Sequence, residues 1–568
     1  MYLRKLTRQK DGKSHAYWAL VESYRTSRGP RQRVVSYLGE LDGSGDIGAD
    51  HAVLTPAEQQ QPLWKTVNLH GVRAERTREF GAVWLGWQLC QRVGLLDFLR
   101  DKLPSGKEEI PWADLALILI LARLCHPSSE LYIAEHFYGQ SALPDVLGIP
   151  PDKINDDRLY RALDKLLPHK ETLEKLLKDR LGSLFKLEYD LLLYDITSTY
   201  FEGEAEQNSQ AQRGYSRDQR PDCKQVCIAL VVTRDGLPLG YDIFDGNTQD
   251  VTTLQKMVET IEKRYGQADR IWVVDRGMVS QENLKFLAQP PRRYIVGTPK
   301  SLLKKFQHHL LSQNWQSIRE GLEVQYCTSP EYGQEVFILC RSADRQAKEH
   351  AMAERFHQRV QKALLKLQKS CVQGRLRELR IAERRIGRLL ERNSRVARFY
   401  NITVQQEDDD RRLSIHWTIN QEHQTWAEQT EGCYLLRSNI TEWSADDLWS
   451  AYVQLSHAEA AFRIQKSDLK LRPIWHQKKE RVQAHILVCF LAYVLWKALA
   501  QICKSKKLGD EPRKIFDEIG RIQLCDVILP TKEGTEIKLR CVTKPDKHQN
   551  ILLQRLGLKI PDRLTITH

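Results

Sequence analysis

The chain lacks the features that would mark a secreted, membrane-embedded or zinc-thiolate protein. Its twelve cysteines are scattered, and only Cys223 and Cys227 stand close, spaced C-x3-C. No second pair completes a four-ligand zinc site. Reduced thiols in a cytoplasmic protein are the expectation. No apolar core segment follows Met1-Tyr2-Leu3-Arg4-Lys5, so no secretory leader is read there. The longest apolar stretch, "AHILVCFLAYVLWKALAQIC" at 484–503, is uninterrupted only from Ile486 to Trp496. That is too short for a bilayer and predicts a buried helix, so no membrane partner is expected. Acidic residues are also in deficit. Lys and Arg number 86 against 73 Asp and Glu, a net charge of +13 with pI near 9.0. The excess favours a polyanionic partner, nucleic acid being the commonest.

What is present reads as globular: 568 residues, 41% apolar and 28% charged, enough for several domains and large cores. Residues 1–45 form a β-rich segment, in which "YWALVESYR" and "RQRVVSYLGEL" flank the turn Ser27-Arg28-Gly29-Pro30. A polar linker over 41–75 follows. From 76 to 180 the pattern is helical, broken by Gly and Pro. This suits a small DNA-binding domain as well as any helical bundle, and no decisive helix-turn-helix pattern stands out.

Residues 181–300 alternate in type. Strands are predicted at 188–196, 225–234, 238–244, 270–275 and 293–297. A helix, "DVTTLQKMVETIEKRYG", falls between the third and fourth, with Asp250 as its N-cap and Leu254, Val258 and Ile261 at helical spacing. Strand–strand–strand–helix–strand is the start of an RNase-H-like α/β fold. Two apolar runs end in bare aspartates: "LLLYDITSTYF" in Asp195 and "IWVVDRGMVS" in Asp275. The first and fourth strands of such a fold are neighbours, so these strand ends are expected to bring Asp195 and Asp275 together.

Residues 345–398 hold 16 Lys and Arg against 5 Glu, a net of +11. Val360, Leu364, Leu367 and Cys371 fall on one helical stripe. Gly374 breaks the stretch into a hairpin whose second arm carries Leu379, Ala382, Ile386 and Leu389. Such a face is either solvated or meets phosphates; the sparse acids favour phosphates. Strands are expected at 399–406, 411–419 and 433–439.

A third acid lies in "LWSAYVQLSHAEAAFRIQKSDLKLRPIWH", which Ser444 and Asp446 can cap. Ala451, Leu455, Ala458 and Phe462 form the buried face of one helix. Tyr452, Glu459 and Lys466 sit seven apart on one side, with Arg463 and Lys470 near it. The plain alternative for Glu459 is an i,i+4 pair with Arg463, worth roughly 0.3–0.5 kcal/mol. "YVQLSHAEAAFRIQK" resembles the Tyr-x2-Arg-x3-Glu-x6-Lys signature of insertion-sequence transposases of the DDE class. Leu455 stands where that signature has Arg, and Arg463 is a candidate substitute. "YDITSTYFEG", "GYSRDQRPDCKQV", "FDGNTQD", "VDRGMVSQENL" and "LRPIWHQKKERVQAHI" resemble members of this group in order and spacing, so the likeness covers most of the chain.

The resemblance implies an RNase-H-like core, a mixed five-stranded sheet with helices at 181–300 and 431–500. An α+β insertion at 301–430 interrupts it, and the region 501–568 follows without an assigned role. It implies Asp195, Asp275 and Glu459 as the catalytic, metal-binding triad. Hard carboxylate oxygens suit two Mg²⁺ or Mn²⁺ ions, which relieve the mutual repulsion of three acids and serve phosphodiester cleavage and strand transfer. Tyr452, Arg463, Lys466, Lys470, Arg472, Arg276, Arg213, Arg217 and Lys224 are candidate DNA contacts. Each taken alone is as readily an ordinary surface residue. The partners implied are double-stranded DNA, as terminal inverted repeats and target, and a second copy in a homodimer on DNA. An RNase-H-like nuclease without strand transfer, and a non-catalytic DNA-binding derivative, stay open as alternatives.

Overall fold

The computed structural model describes residues 66–328, 335–406 and 412–564. It also describes the backbone of three antiparallel N-terminal strands, Tyr2–Lys10, Lys13–Thr26 and Gly29–Gly39. Ser27 and Arg28 of the expected turn lie outside the described residues.

The centre of the molecule is a mixed sheet. Its strands are β1 (Leu191–Tyr200), β2 (Gln225–Thr233), β3 (Pro238–Asp245), β4 (Ile271–Val274), β5 (Arg293–Gly297), β6 (Gln316–Arg319), β7 (Leu322–Thr328), β8 (Val336–Ser342) and β9 (Cys433–Ser438). The spatial order is β6-β7-β8-β9-β5-β4-β1-β2-β3. Only β1–β4 and β4–β5 run parallel. Every residue of β2 and β4 is buried, as expected of strands covered on both faces, and this is why they read as unbroken apolar runs.

Five strands were expected and nine pair. With β1–β5 alone, β5 would be an open edge, a row of unpaired backbone groups. Instead β9 pairs antiparallel with it, Leu436 opposite Gly297, and β8, β7 and β6 follow.

Helices cover both faces. On one, α1 (Trp112–Cys125) and α7 (Lys479–Ser505) pack on each other and share a core with Leu191 and Leu193. α7 is apolar and long enough to cross a bilayer, but 83% of its most apolar window is buried inside the molecule. On the other face, α2 (Leu254–Tyr265) sets Met257, Val258 and Ile261 against Leu192, Tyr194 and Trp272. Asp250 does not cap α2 as expected. The helix starts later, after a 3₁₀ turn at Asp250–Thr252, and the Asp250 carboxylate takes Arg217 instead.

Between β8 and β9 the chain leaves the sheet. α3 (Ala343–Val372) and α4 (Leu379–Arg392) form the expected hairpin, turning at Gly374 with φ +66°. Val360, Leu364, Cys371, Ala382 and Ile386 are buried against a ribbon of Tyr400–Gln406 and Leu413–Ile419. At the far end of the chain, Gln523–Pro530 pairs with both Glu536–Val542 and Arg73–Glu79. Fully buried Asp526 holds Arg78 at 2.8 Å and Arg540 at 3.1 Å there, tying residues 523–542 to the start of the helical region.

Candidate functional site

Asp195 lies in the middle of β1, not at its end as read from the sequence; β1 runs on to Tyr200 because Ile196 and Phe201 are also buried. β4 does end at its aspartate. The parallel register pairs Tyr194 with Val274, so Asp195 and Asp275 follow side by side. Alternation along β1 puts Asp195 on the face of Leu193, where two further helices lie, α5 (Ala445–Val453) and α6 (Ser456–Arg463). Glu459 sits on α6, exposed like Asp275, while Asp195 is half-buried. The Asp195 carboxyl is pushed up to about 7 by burial, against the Ile196 N–H that donates to it at 2.8 Å. The negative charges of Asp275 and Glu459 contribute to the same rise. Both other acids are therefore felt by Asp195, and a cation among the three would relieve that repulsion. The donors are all carboxylate oxygens, a set that fits Mg²⁺ or Mn²⁺.

The stretch from Tyr452 to Lys466 is not one helix. α5 ends at Val453, and Leu455 and His457 donate to the carbonyls three residues back, Tyr452 and Gln454, tightening the chain before α6. After Arg463 a π-turn spans Ile464–Asp468. The seven-residue spacing consequently does not put three side chains in one row. Tyr452 still reaches the acid corner. Burial, then the Asp275 charge, raises its pKa, and a Cβ placed on Gly297 would stand 2.4 Å from its hydroxyl. The glycine at the end of β5 is what leaves room for Tyr452. Leu455, at the position of the signature Arg, is buried.

Lys466 is taken up by an acid outside the triad. It donates to Asp218 at 2.8 Å, and Arg472 binds the same carboxylate oxygen. Burial lowers the Lys466 pKa against the pull of Asp218. The π-turn at Ile464–Asp468 carries the Lys466 ammonium to this buried acid.

The remaining candidate cations divide in two. Arg217 is held by Asp250 at 2.5 Å, and Lys224 donates to the Glu204 carbonyl at 2.6 Å. Arg213, Arg276, Arg463 and Lys470 are exposed and have no ion-pair partner among the described residues. Arg276, next to Asp275, lines a cleft of about 880 Å³ with Lys348, Arg395, Arg398, Phe399 and Trp426. Sequence reasoning missed Asp218 and Asp250 as partners, and missed the cleft; contacts across such distances leave no spacing to read.

A second cluster went unread: Glu130, His476 and His485, all buried, with ligand atoms within 4.8 Å of one another. His485 is kept neutral, its pKa lowered to about 3 by burial and by Arg123. Its Nδ1 lies 3.4 Å from an Arg123 N–H and its Nε2 faces the Leu471 carbonyl at 3.2 Å. Both ring nitrogens are thus engaged and a cation is already beside them. The cluster fits a hydrogen-bonded anchor for the 469–476 loop better than a metal centre.

The family described as IS1634 family transposase, N-terminal domain, matches residues 3–61. No curated protein matches. Among solved structures, the piggyBac transposase synaptic complex with hairpin DNA matches with a TM-score of 0.36 at 9% identity, covering 81% of this chain and 82% of that one. The family described as Transposase DDE domain matches residues 186–495, more than half of the 568 and inclusive of Asp195, Asp275 and Glu459. The chain belongs to the insertion-sequence transposases that carry this DDE domain.

Proposed function

We propose that the chain cuts DNA at the ends of its insertion sequence and joins the freed ends to target DNA at one site built on Asp195, Asp275 and Glu459. The observation that supports this reading is the register of β1 and β4, whose paired residues Tyr194 and Val274 precede the two aspartates, together with the charges of Asp275 and Glu459 that act on Asp195. The order β3-β2-β1-β4-β5, with β2 antiparallel to both its neighbours, supports an RNase-H-like core at 181–300 and 431–500. The exposed basic hairpin supports a DNA-binding insertion within 301–430.

The three carboxylates would hold two Mg²⁺ or Mn²⁺ ions, which when bound activate water or a 3′-hydroxyl and stabilise the leaving oxygen of a phosphodiester. Around them the chain's own residues orient the DNA. Arg276 and Arg463 are free to meet backbone phosphates, and Tyr452 closes the corner against Gly297. Such contacts carry no sequence information, so recognition of terminal repeats belongs to other surfaces, the α3–α4 hairpin and the helical region 76–180 among them. Two ends must be joined, so the working form on DNA is a homodimer, acting where the genome lies in the cytoplasm. The test is incubation of the purified chain with linear DNA ending in its own terminal repeats, in Mg²⁺. Repeat-dependent nicks and joined products are expected. Nicks without joined products would favour a nuclease, and neither would favour a non-catalytic DNA binder.

A further inference from the structure

The acid that holds Lys466 and Arg472 is enclosed. The Asp218 side chain is 2% exposed, Lys466 10% and Arg472 31%, so the group opens to solvent on the Arg472 side. Two cations share one carboxylate oxygen, leaving a net charge of +1 in a mostly desolvated place. Arg217 stands near and is already matched by Asp250. The second Asp218 oxygen is buried without a donor, so the carboxylate is not fully satisfied by its two partners. The backbone on both sides is constrained: Gln219, next to Asp218, has φ +58°, and Lys470, between the two cations, has φ +45°. Left-handed residues that are not glycine persist where their surroundings over-determine them.

We propose that Asp218 is a positioning residue, holding Lys466 and Arg472 as a two-cation clamp for one DNA backbone phosphate. This deepens the reading of the site given above and rests on it. One carboxylate against two cations orients them without cancelling them, and the surplus positive charge is what a phosphate would take up. Bidentate geometry at a phosphate suits Arg472, and a point charge beside it suits Lys466. The clamp is tethered to β1 by the Arg217 N–H, which donates to Ser198 at 3.2 Å, three residues along the strand from Asp195. A phosphate held there would keep a fixed relation to the acid corner.

The test uses the full chain as wild type, Asp218→Asn, Lys466→Met and the double variant. Binding to a terminal-repeat duplex is measured against salt in Ca²⁺, and cleavage at saturating duplex in Mg²⁺. Plain electrostatics says that removing an acid tightens DNA binding. A positioning role says the opposite: Asp218→Asn flattens the salt slope by about 0.9 for the one phosphate lost and cuts at least tenfold more slowly. In the Lys466→Met background the same change should add less than twofold to either loss. Tighter binding with faster cutting would overturn the proposal and make Asp218 a competitor of DNA. Full, independent losses in the Lys466→Met background would overturn it too, as a merely structural role. If Asp218→Asn does not fold, the double variant, which removes the buried Lys466 charge along with its partner and leaves only the part-exposed Arg472, is compared with Lys466→Met alone and the same twofold limit applies. A wild type that neither binds nor cuts would defeat the parent reading, a result distinct from a working wild type with a tighter-binding variant.

Discussion

Two sets of basic side chains in this molecule are held in opposite ways. Near the acid corner, Arg217, Lys466 and Arg472 each carry a carboxylate partner, and Lys224 carries the Glu204 carbonyl with the carboxylate of the same residue at 3.9 Å. On the α3–α4 hairpin, Arg380, Arg384, Arg385 and Arg388 are exposed and have no carboxylate partner among the described residues. A paired cation gives up long-range attraction and gains a fixed position. A bare one keeps its field but not its place. On the function proposed above, the corner would orient a strand that has already arrived, and the hairpin would attract DNA and hold it through counterion release. Changes at the corner should therefore strike rate, and changes on the hairpin should strike affinity.

The largest effect is expected from the acids. Asp195→Asn, Asp275→Asn or Glu459→Gln should each remove at least about 10³-fold of metal-dependent cleavage, roughly 4 kcal/mol of barrier. Duplex binding should stay within a few-fold of wild type, because the hairpin is untouched. Chelation of divalent ions should give the same split. Gel shift and cleavage on one preparation decide it; a triad variant that still cuts in Mg²⁺ would break the comparison at its root. Next comes the hairpin. Replacing Arg377, Arg380, Arg384, Arg385 and Arg388 together with Gln should lower affinity about 10²-fold or more near 0.15 M salt and reduce the salt slope by up to about 4.5. The cleavage rate at saturating DNA should change little. An unchanged slope would assign the hairpin to packing or dimerisation.

Much of this division could be read from the chain, for physical reasons that also mark where reading stops. The strands leading to Asp195 and Asp275 show as apolar runs; the second stops at Val274, one residue short of its expected end, and the first continues because Ile196, Thr197, Ser198, Thr199 and Phe201 stay buried. The hairpin was legible from the stripe Val360, Leu364 and Cys371 and from Gly374. The break between Tyr452 and Glu459 was not. No Gly or Pro stands there, and Gln454 and Leu455 carry no stop signal. The π-turn that sends Lys466 to Asp218 is likewise silent, since it depends on a partner 248 positions away. "LEVQYCT" and "VFILCRS" have strand character, yet only the open edge of β5 explains why they join the central sheet.

A smaller, sharper test lies at the Gly297 contact. Its Cβ-free surface leaves room for the Tyr452 hydroxyl. Gly297→Ala should push the ring off the acid corner and slow cleavage about tenfold, with affinity kept, since no charge is touched. Gly297→Ala combined with Tyr452→Phe, which deletes the clashing oxygen, should recover much of any lost thermal stability. Equal activity in wild type and Gly297→Ala would show that Tyr452 plays no part in aligning the strand.

The smallest effect is expected at Arg463. Leu455 occupies the position of the signature Arg and is buried, so no cation can be presented there. Arg463 lies one turn beyond Glu459, and the i,i+4 pair between them is not formed. Its guanidinium is exposed and has no ion-pair partner among the described residues, and it stands between the two kinds of charge contrasted above: near the corner by position, bare like the hairpin by environment. It should therefore behave as an affinity residue. Arg463→Gln is expected to weaken duplex binding about three- to fivefold at 0.15 M salt and to lower the slope by about 0.9, the share of a single phosphate. Thermal stability should move by no more than about 0.5 kcal/mol, as for an exposed substitution. Cleavage at saturating DNA should match wild type. A loss of cleavage rate with an unchanged slope would instead make Arg463 an orienting group and move it to the other side of the comparison.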